Sequence, residues 1–337
     1  MQPPKPSTTG LSVTAKFAPG SIGATRPVVG VNMYALHNYS AAQTAILGKR
    51  MLSYIKNNLH ATAVDIVWRF WAPGGHFSNA TISNADTLSP ANVGILAQLA
   101  QQDHLLVEFR PLVFIKNASD AWEGNLTPAS PGTWFANYYT ANLPYLQVAE
   151  KYHINEYVVG TEMNGVNADQ QWGGFLAKCG KVYHGQVSVA VHQSKYFPPY
   201  THIPPTNLTG VDMYKQLQLP DQPTLSQVVE AYESFFAVMP AALLRRTAIQ
   251  ETGIAASANA YAKPADLTIS SGLDESVQYN WFTASCEAVK RFHLRGVFFW
   301  KVDLADSPVT HPAKSLSTFE GRAGAAAISK CESIING

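Results

Sequence analysis

Residues 296–303 read Gly296-Val-Phe-Phe-Trp-Lys-Val-Asp303. The run is apolar without alternation through Val297-Phe-Phe and closes on polar side chains. The expected strand is Gly296–Trp300; a strand buried on both faces has this look, and such strands belong to parallel sheets covered by helices. Seven other short apolar runs share the form: Val28–Met33, Ala63–Phe70, Leu105–Leu112, Glu156–Gly160, Gln186–Val191, Gly210–Met213 and Arg246–Gln250. Longer amphipathic stretches lie between them, at Ala41–Leu59, Pro90–Gln102, Trp134–Tyr152, Asp169–Tyr183, Ser226–Met239 and Glu275–Phe292. Eight strands alternating with helices predict an α/β fold, a single (β/α)8 TIM barrel. Ser89-Pro90 supports the second helix, with serine as N-cap and proline in the first turn. Between the fifth and sixth strands, Lys195–Leu208 holds four prolines, which excludes a long helix and predicts an irregular connection.

No repeat or low-complexity break divides the chain, and no G-x-G-x-x-G follows an expected strand. One barrel over residues 26–337 is therefore preferred to two dinucleotide-binding units. Residues 1–25, rich in Pro, Ser and Thr at their start, read as an N-terminal linker or extended segment. With 46% hydrophobic and 11% aromatic residues in a chain of 337, a large core is expected and global disorder is excluded. A formal net charge of +1 offers no field for a phosphate backbone, so no nucleic-acid partner is expected. The longest apolar runs are strand-sized, so no membrane span is expected either.

Charged residues are only 14%, against about 25% in ordinary globular proteins. Neutral polar residues fill the gap, which leans towards an extracellular, secreted protein. MQPPKPSTTG has no hydrophobic signal core and reads as a linker or a mature N-terminus. Sequons at Asn38, Asn79, Asn117, Asn125 and Asn207 matter only in a source that glycosylates. Cys179, Cys286 and Cys331 are too few for a disulfide scaffold. Buried thiols and one bridge with a spare thiol both remain open. A monomer is expected.

In such a barrel the active site lies at the C-terminal ends of the strands. The polar residues there are Asn32 and Tyr34, Arg69 and Trp71, Arg110, Glu162, His192-Gln193, Asp212 and Tyr214, Glu251, and Trp300 to Asp303. Two carboxylates, Glu162 and Glu251, stand at the tips of the fourth and seventh strands. Either alone would read as a solvated loop-end carboxylate. Together, at matching strand ends, they suit glycosidic cleavage: one protonates the leaving oxygen while the other, ionised, meets the anomeric carbon. Aromatic faces and hydrogen-bonding side chains nearby suit sugar rings, so the expected partner is a carbohydrate substrate. Neither H-E-x-x-H nor G-x-S-x-G occurs, and no ligand-spaced His/Asp cluster suggests a metal. No cofactor is expected.

Val158-Val-Gly-Thr-Glu-Met163, Ile249-Gln-Glu-Thr-Gly-Ile254 and the residue 296–303 run resemble the clan A retaining glycoside hydrolases. They are most similar to glycoside hydrolase family 113, the bacterial endo-β-1,4-mannanases. Trp122-Glu-Gly, Trp134-Phe-Ala-Asn-Tyr138, Gly210-Val-Asp-Met-Tyr214 and Glu320-Gly-Arg-Ala-Gly324 fall where similar pieces do. The resemblance runs from about Gly30 to Ala327. It implies Glu162 as acid/base, Glu251 as nucleophile and retention through a glycosyl-enzyme. It also implies Tyr214 as the phenol orienting the nucleophile, Trp300 as the sugar platform and Arg69 as the cation behind the nucleophile. Thr252, Ile254, Val191-His-Gln and Lys301-Val302 depart from the family pattern around the sugar. A mannan-like glycan is the first expectation; a different cell-wall or exopolysaccharide glycan, or a silent carbohydrate-binding barrel, are the alternatives.

Asn32, Tyr34, Trp71, Trp122, His192 and Asp303 complete the expected substrate contacts, with Trp172 a further aromatic candidate. Each has a competing role in core packing or in filling the barrel lip. Lys301 at the barrel mouth suggests an anionic or otherwise atypical sugar. His37, His60, His104, His153 and His293 read as surface or capping residues.

Overall fold

A computed structural model describes residues 22–337 apart from 24, 85, 117–121, 200–201, 267, 269–271 and 309–314. The expected linker over residues 1–25 and the sequon at Asn117 thus lie almost wholly outside the described residues. Eight strands close a barrel in chain order: β1 (Val28–Tyr34), β2 (Ala63–Ala72), β3 (Leu106–Ile115), β4 (Glu156–Thr161), β5 (Gln186–His192), β6 (Leu208–Asp212), β7 (Thr247–Thr252) and β8 (Gly296–Asp303). Every neighbouring pair is parallel, including β8 with β1. The chain is a single (β/α)8 barrel, as its apolar runs predict.

The helices form where local sequence starts them. Ser40 and Gln43 make a reciprocal capping box at α1 (Ala41–Asn57), and Ser89 with Pro90 opens α2 (Pro90–Gln102). Then come α3 (Pro131–Lys151) and α4 (Gln171–Cys179). The proline-rich connection holds only the four-residue α5 (Gln193–Tyr196), the irregularity expected there. Next are α6 (Leu225–Ala237), the short α7 (Ala241–Leu244) and α8 (Glu275–Phe292). A last helix, α9 (Ala323–Asn336), is absent from the sequence expectation. It lies on α8, and Cys286–Cys331 bridges the two, leaving Cys179 as a buried free thiol. Among the described residues no helix is long and apolar enough to cross a membrane.

Between barrel and helices lies an aromatic layer in which Trp68 stacks on Tyr145 at 4.6 Å and Trp134 on Tyr138 at 4.9 Å. Trp172 belongs to it, buried edge-on to Phe135 at 5.1 Å, so it packs the core and is no sugar platform. Inside the barrel the chemistry is polar. Ile22 is buried at the bottom, its carbonyl accepting from Arg295 Nη2 at 2.8 Å, and Arg295 also pairs with Glu156. One layer higher Gln250 donates to Glu108. Buried charge survives in such a core only when paired or neutralised, and this column of pairs leads up to the C-terminal mouth.

Several strands outrun their expected ends, β2, β3 and β8 by two or three residues. β2 and β3 stay paired through ten positions, from Ala63↔Leu106 to Ala72↔Ile115, where the sequence suggests stops at Phe70 and Leu112. An antiparallel bridge between Trp71 and Ser83 supports the far end of β2. The pair therefore rises as a ridge on one side of the mouth.

Candidate active site

β7 carries Glu251 to the mouth, where it is buried and three donors converge on its carboxylate. Arg110 Nη1 and the Tyr34 hydroxyl donate to Oε1 at 2.7 and 2.8 Å; the Tyr214 hydroxyl donates to Oε2 at 3.1 Å. Arg110 is itself fixed by Asp65, with Nε 2.5 Å from Oδ2, and Asp65 accepts from Asn32 Nδ2 at 2.8 Å. Burial, with Glu251's charge beside them, pushes both phenols well above their ordinary range, so they stay protonated donors. Trp300 Nε1 donates to the Tyr34 hydroxyl at 3.0 Å, tying the aromatic floor to the same network.

Glu162 follows β4 in the left-handed backbone region, at φ 47°, a conformation uncommon for a residue with a side chain. Its N–H donates to Ala190 O at 2.9 Å, and Trp122 Nε1 donates to Oε2 at 2.6 Å. Burial first, then the charge of Glu251, pushes the Glu162 carboxyl up to about 8. At neutral pH it holds its proton. The two glutamates thus differ as an acid and an anion must, one in an apolar wall and the other in a donor shell. Gly124 explains part of the Trp122-Glu-Gly motif: a Cβ there would meet the Trp122 ring at 2.3 Å.

A cavity of about 490 Å³ opens between them, lined by Trp122, Glu162, His192, Tyr214, Glu251, Ala265 and Trp300. His192 turns its ring edge to Trp122 at 5.3 Å and holds Ser194 Oγ at 2.7 Å through Nδ1. Burial pushes its pKa down to about 4, so it meets a ligand as neutral imidazole. Two more carboxyls surround the site. Asp212 and Glu123 are buried and raised well above the carboxylate range, by burial and then by Glu251 and Glu162 respectively. Both are thereby biased towards the neutral acid.

Six of the expected site residues therefore line the cavity, and Tyr34 reaches Glu251 from beside it. The other four fall elsewhere. Asn32 is fully buried behind Asp65 and orients the network without reaching the cavity. Asp303 holds Lys301 Nζ at 2.9 Å through both oxygens. Arg69 is not the cation behind Glu251: it pairs with Asp86 at 3.2 Å and stacks over Trp71 at 4.6 Å, out on the rim. Arg110 takes that place. A lone arginine two residues after Glu108, on the inward parity of an apolar strand, is the signal that points to it.

A closed barrel with a protonated glutamate after β4 and a donor-clamped glutamate on β7 defines a clan A glycoside hydrolase. Residues 48–317 match Glycoside Hydrolase Family 113, and the chain belongs to that family. Its fold is similar to the family 113 β-mannanase AaManA from Alicyclobacillus acidocaldarius, solved with ManMIm. That likeness has a TM-score of 0.77 at 15% identity, over 93% of this chain and 100% of the other. A second family 113 β-1,4-mannanase complex matches with a TM-score of 0.73 at 14% identity, over 91% and 98%. The endo-1,4-β-mannanase of Rhizomucor miehei matches more loosely, with a TM-score of 0.54 at 12% identity over 92% and 95%. No curated protein matches the chain by sequence.

Proposed function

We propose that this glycoside hydrolase cleaves β-linked, mannan-like polysaccharide or oligosaccharide with retention of configuration. Glu162 is the acid/base and Glu251 the nucleophile. The observation that carries the reading is the asymmetry of the pair: Glu251 alone faces a guanidinium and two phenols, while Glu162 keeps a proton at neutral pH.

In the first step the Glu162 proton passes to the glycosidic oxygen as that oxygen leaves the anomeric carbon. Glu251 Oε2 or Oε1 forms the new bond to the same carbon, and the sugar becomes an ester of the protein. Glu162, now a carboxylate, then takes a proton from water; the water oxygen attacks the anomeric carbon and Glu251 departs. Trp300 offers the flat face for the reacting sugar, while His192, Tyr214 and Trp122 surround its hydroxyls. The named substrates of the similar β-mannanases support a mannan backbone as the first choice. The Cys286–Cys331 bridge supports an extracellular setting, because such bonds persist in oxidising compartments.

The test is reducing-sugar release over a polysaccharide panel, with Glu251→Gln and Glu162→Gln beside the parent chain. Release from a mannan, abolished by the first variant and retained on activated leaving groups by the second, is expected. Full activity in both variants would overturn the assignment. Binding without release by the parent chain would make it a carbohydrate-binding barrel instead.

A further inference from the structure

The inner face of the β2–β3 ridge carries an uneven charge. Asp65 and Arg110 point into the barrel, so by the two-residue period of a strand Arg69, Trp71, Phe114 and Lys116 share their side, higher up. The Arg69 guanidinium lies 4.6 Å from the Trp71 ring and 5.9 Å from Phe114, and Lys116 Nζ lies 5.0 Å from Trp71. Trp71 thus serves as a bed for two cations rather than for a sugar. Arg69 is largely covered, its Nε has no acceptor among the described residues, and its one acidic partner, Asp86, is exposed. Lys116 forms no ion pair among the described residues. Phe114 and Trp300 pack against one cluster with Tyr34, so the ridge continues the wall of the cavity. From Arg110 to Phe114 is about 13 Å at roughly 3.3 Å per residue, well beyond the sugar on Trp300.

Two further cations lie in the neighbourhood of His192, one of them, Lys215, with its Nζ 5.4 Å from the Phe235 ring. Lys195 and Lys215 stand near enough to His192 for their charges to add to the effect of burial on its ring, and neither is in an ion pair among the described residues. Lys301, the cation the sequence draws attention to, is neutralised by Asp303 and leaves the selection to these others.

We propose that the β2–β3 ridge is a subsite for an anionic substituent, carboxylate or sulfate, and that an acidic glycan is the preferred substrate. This rests on the reading of the cavity as a glycan-cleaving site. A guanidinium and an ammonium held half-buried on an aromatic ring lose little freedom when an oxyanion arrives, and a neutral sugar gains nothing from them.

The experiment compares kcat/KM for β-1,4-linked mannose oligosaccharides, β-1,4-linked mannuronate oligosaccharides and sulfated mannose oligosaccharides on the intact chain, at low and high salt. Binding of the same three sets is measured by calorimetry. We expect at least a tenfold advantage for one anionic set at low salt, shrinking as salt is added. That advantage falls at least threefold in Lys116→Gln. Whichever anionic set leads identifies carboxylate or sulfate. Equal or better use of the neutral set, insensitive to salt, overturns the proposal. So does calorimetry that finds no tighter binding of either anionic set. Anion-selective binding without hydrolysis of any set would sink the hydrolase reading and keep the subsite; hydrolysis without anion preference would do the reverse.

Discussion

Glu162 and Trp122 set the pH range of the site between them. An acid raised to about 8 is protonated below that pH and loses its proton above it, so activity is expected to fall as pH rises through about 8. The Trp122 N–H bond favours the charged form and holds the value down. Trp122→Phe is therefore expected to move the alkaline limb of kcat/KM upward, and a limb that stays in place or moves down would contradict the assignment. Arg110 supplies the one charged donor on Glu251, and its loss leaves Asp65 and Glu251 facing each other unpaired. Arg110→Met is expected to lower kcat by about a hundredfold, the usual scale for one donor in a preorganised site. Steady-state kinetics on a neutral glycan would show whether it does. Asn32→Ala should weaken the same network from behind without altering the cavity wall.

At the scale of the element, strands and long helices are legible because their signals are local. Val297-Phe-Phe is apolar on both parities, and Ser89-Pro90 starts a helix wherever it stands. Register is not local, so nothing in the sequence corrects the role behind Glu251 that the resemblance implies for Arg69. Arg69 and Arg110 both face inward, but Val67 pairs with Arg110 and Arg69 with Leu112, so Arg69 stands one inward position higher. That step, about 6.6 Å, separates the rim from the site. Tertiary pairing likewise carries β2 and β3 past their sequence limits, and Pro111 is tolerated within β3. α9 escapes notice because no side-chain cap marks its start; packing on α8 and the Cys286–Cys331 bond hold it. With the cysteines 45 positions apart in sequence, chain entropy sets the bridge's contribution at up to about 4 kcal/mol. Cys331→Ser is expected to lower the unfolding free energy by up to that amount while kcat stays the same, as denaturant titration beside an activity assay would show. Loss of activity in the still-folded variant would place the bridge in the site instead.

Across the whole molecule, five carboxyls, Asp65, Glu123, Glu162, Asp212 and Glu251, gather around the single guanidinium of Arg110. Glu123, Glu162 and Asp212 are pushed up by burial and by neighbouring acids, while Asp65 and Glu251 are the two carboxylates that pair with Arg110. That distribution is what a double displacement asks of a barrel: one group ready to give a proton, one ready to attack, and neutral walls around them. Family membership gives the class of reaction; the charge pattern supports the proposed division of labour between the glutamates. The most direct measurement is proton NMR of the anomeric signals during early hydrolysis of a β-linked oligosaccharide. The account predicts that the first product carries the β configuration and only later mutarotates. An α product appearing first would mean a single inverting displacement, and Glu251 could not be the nucleophile.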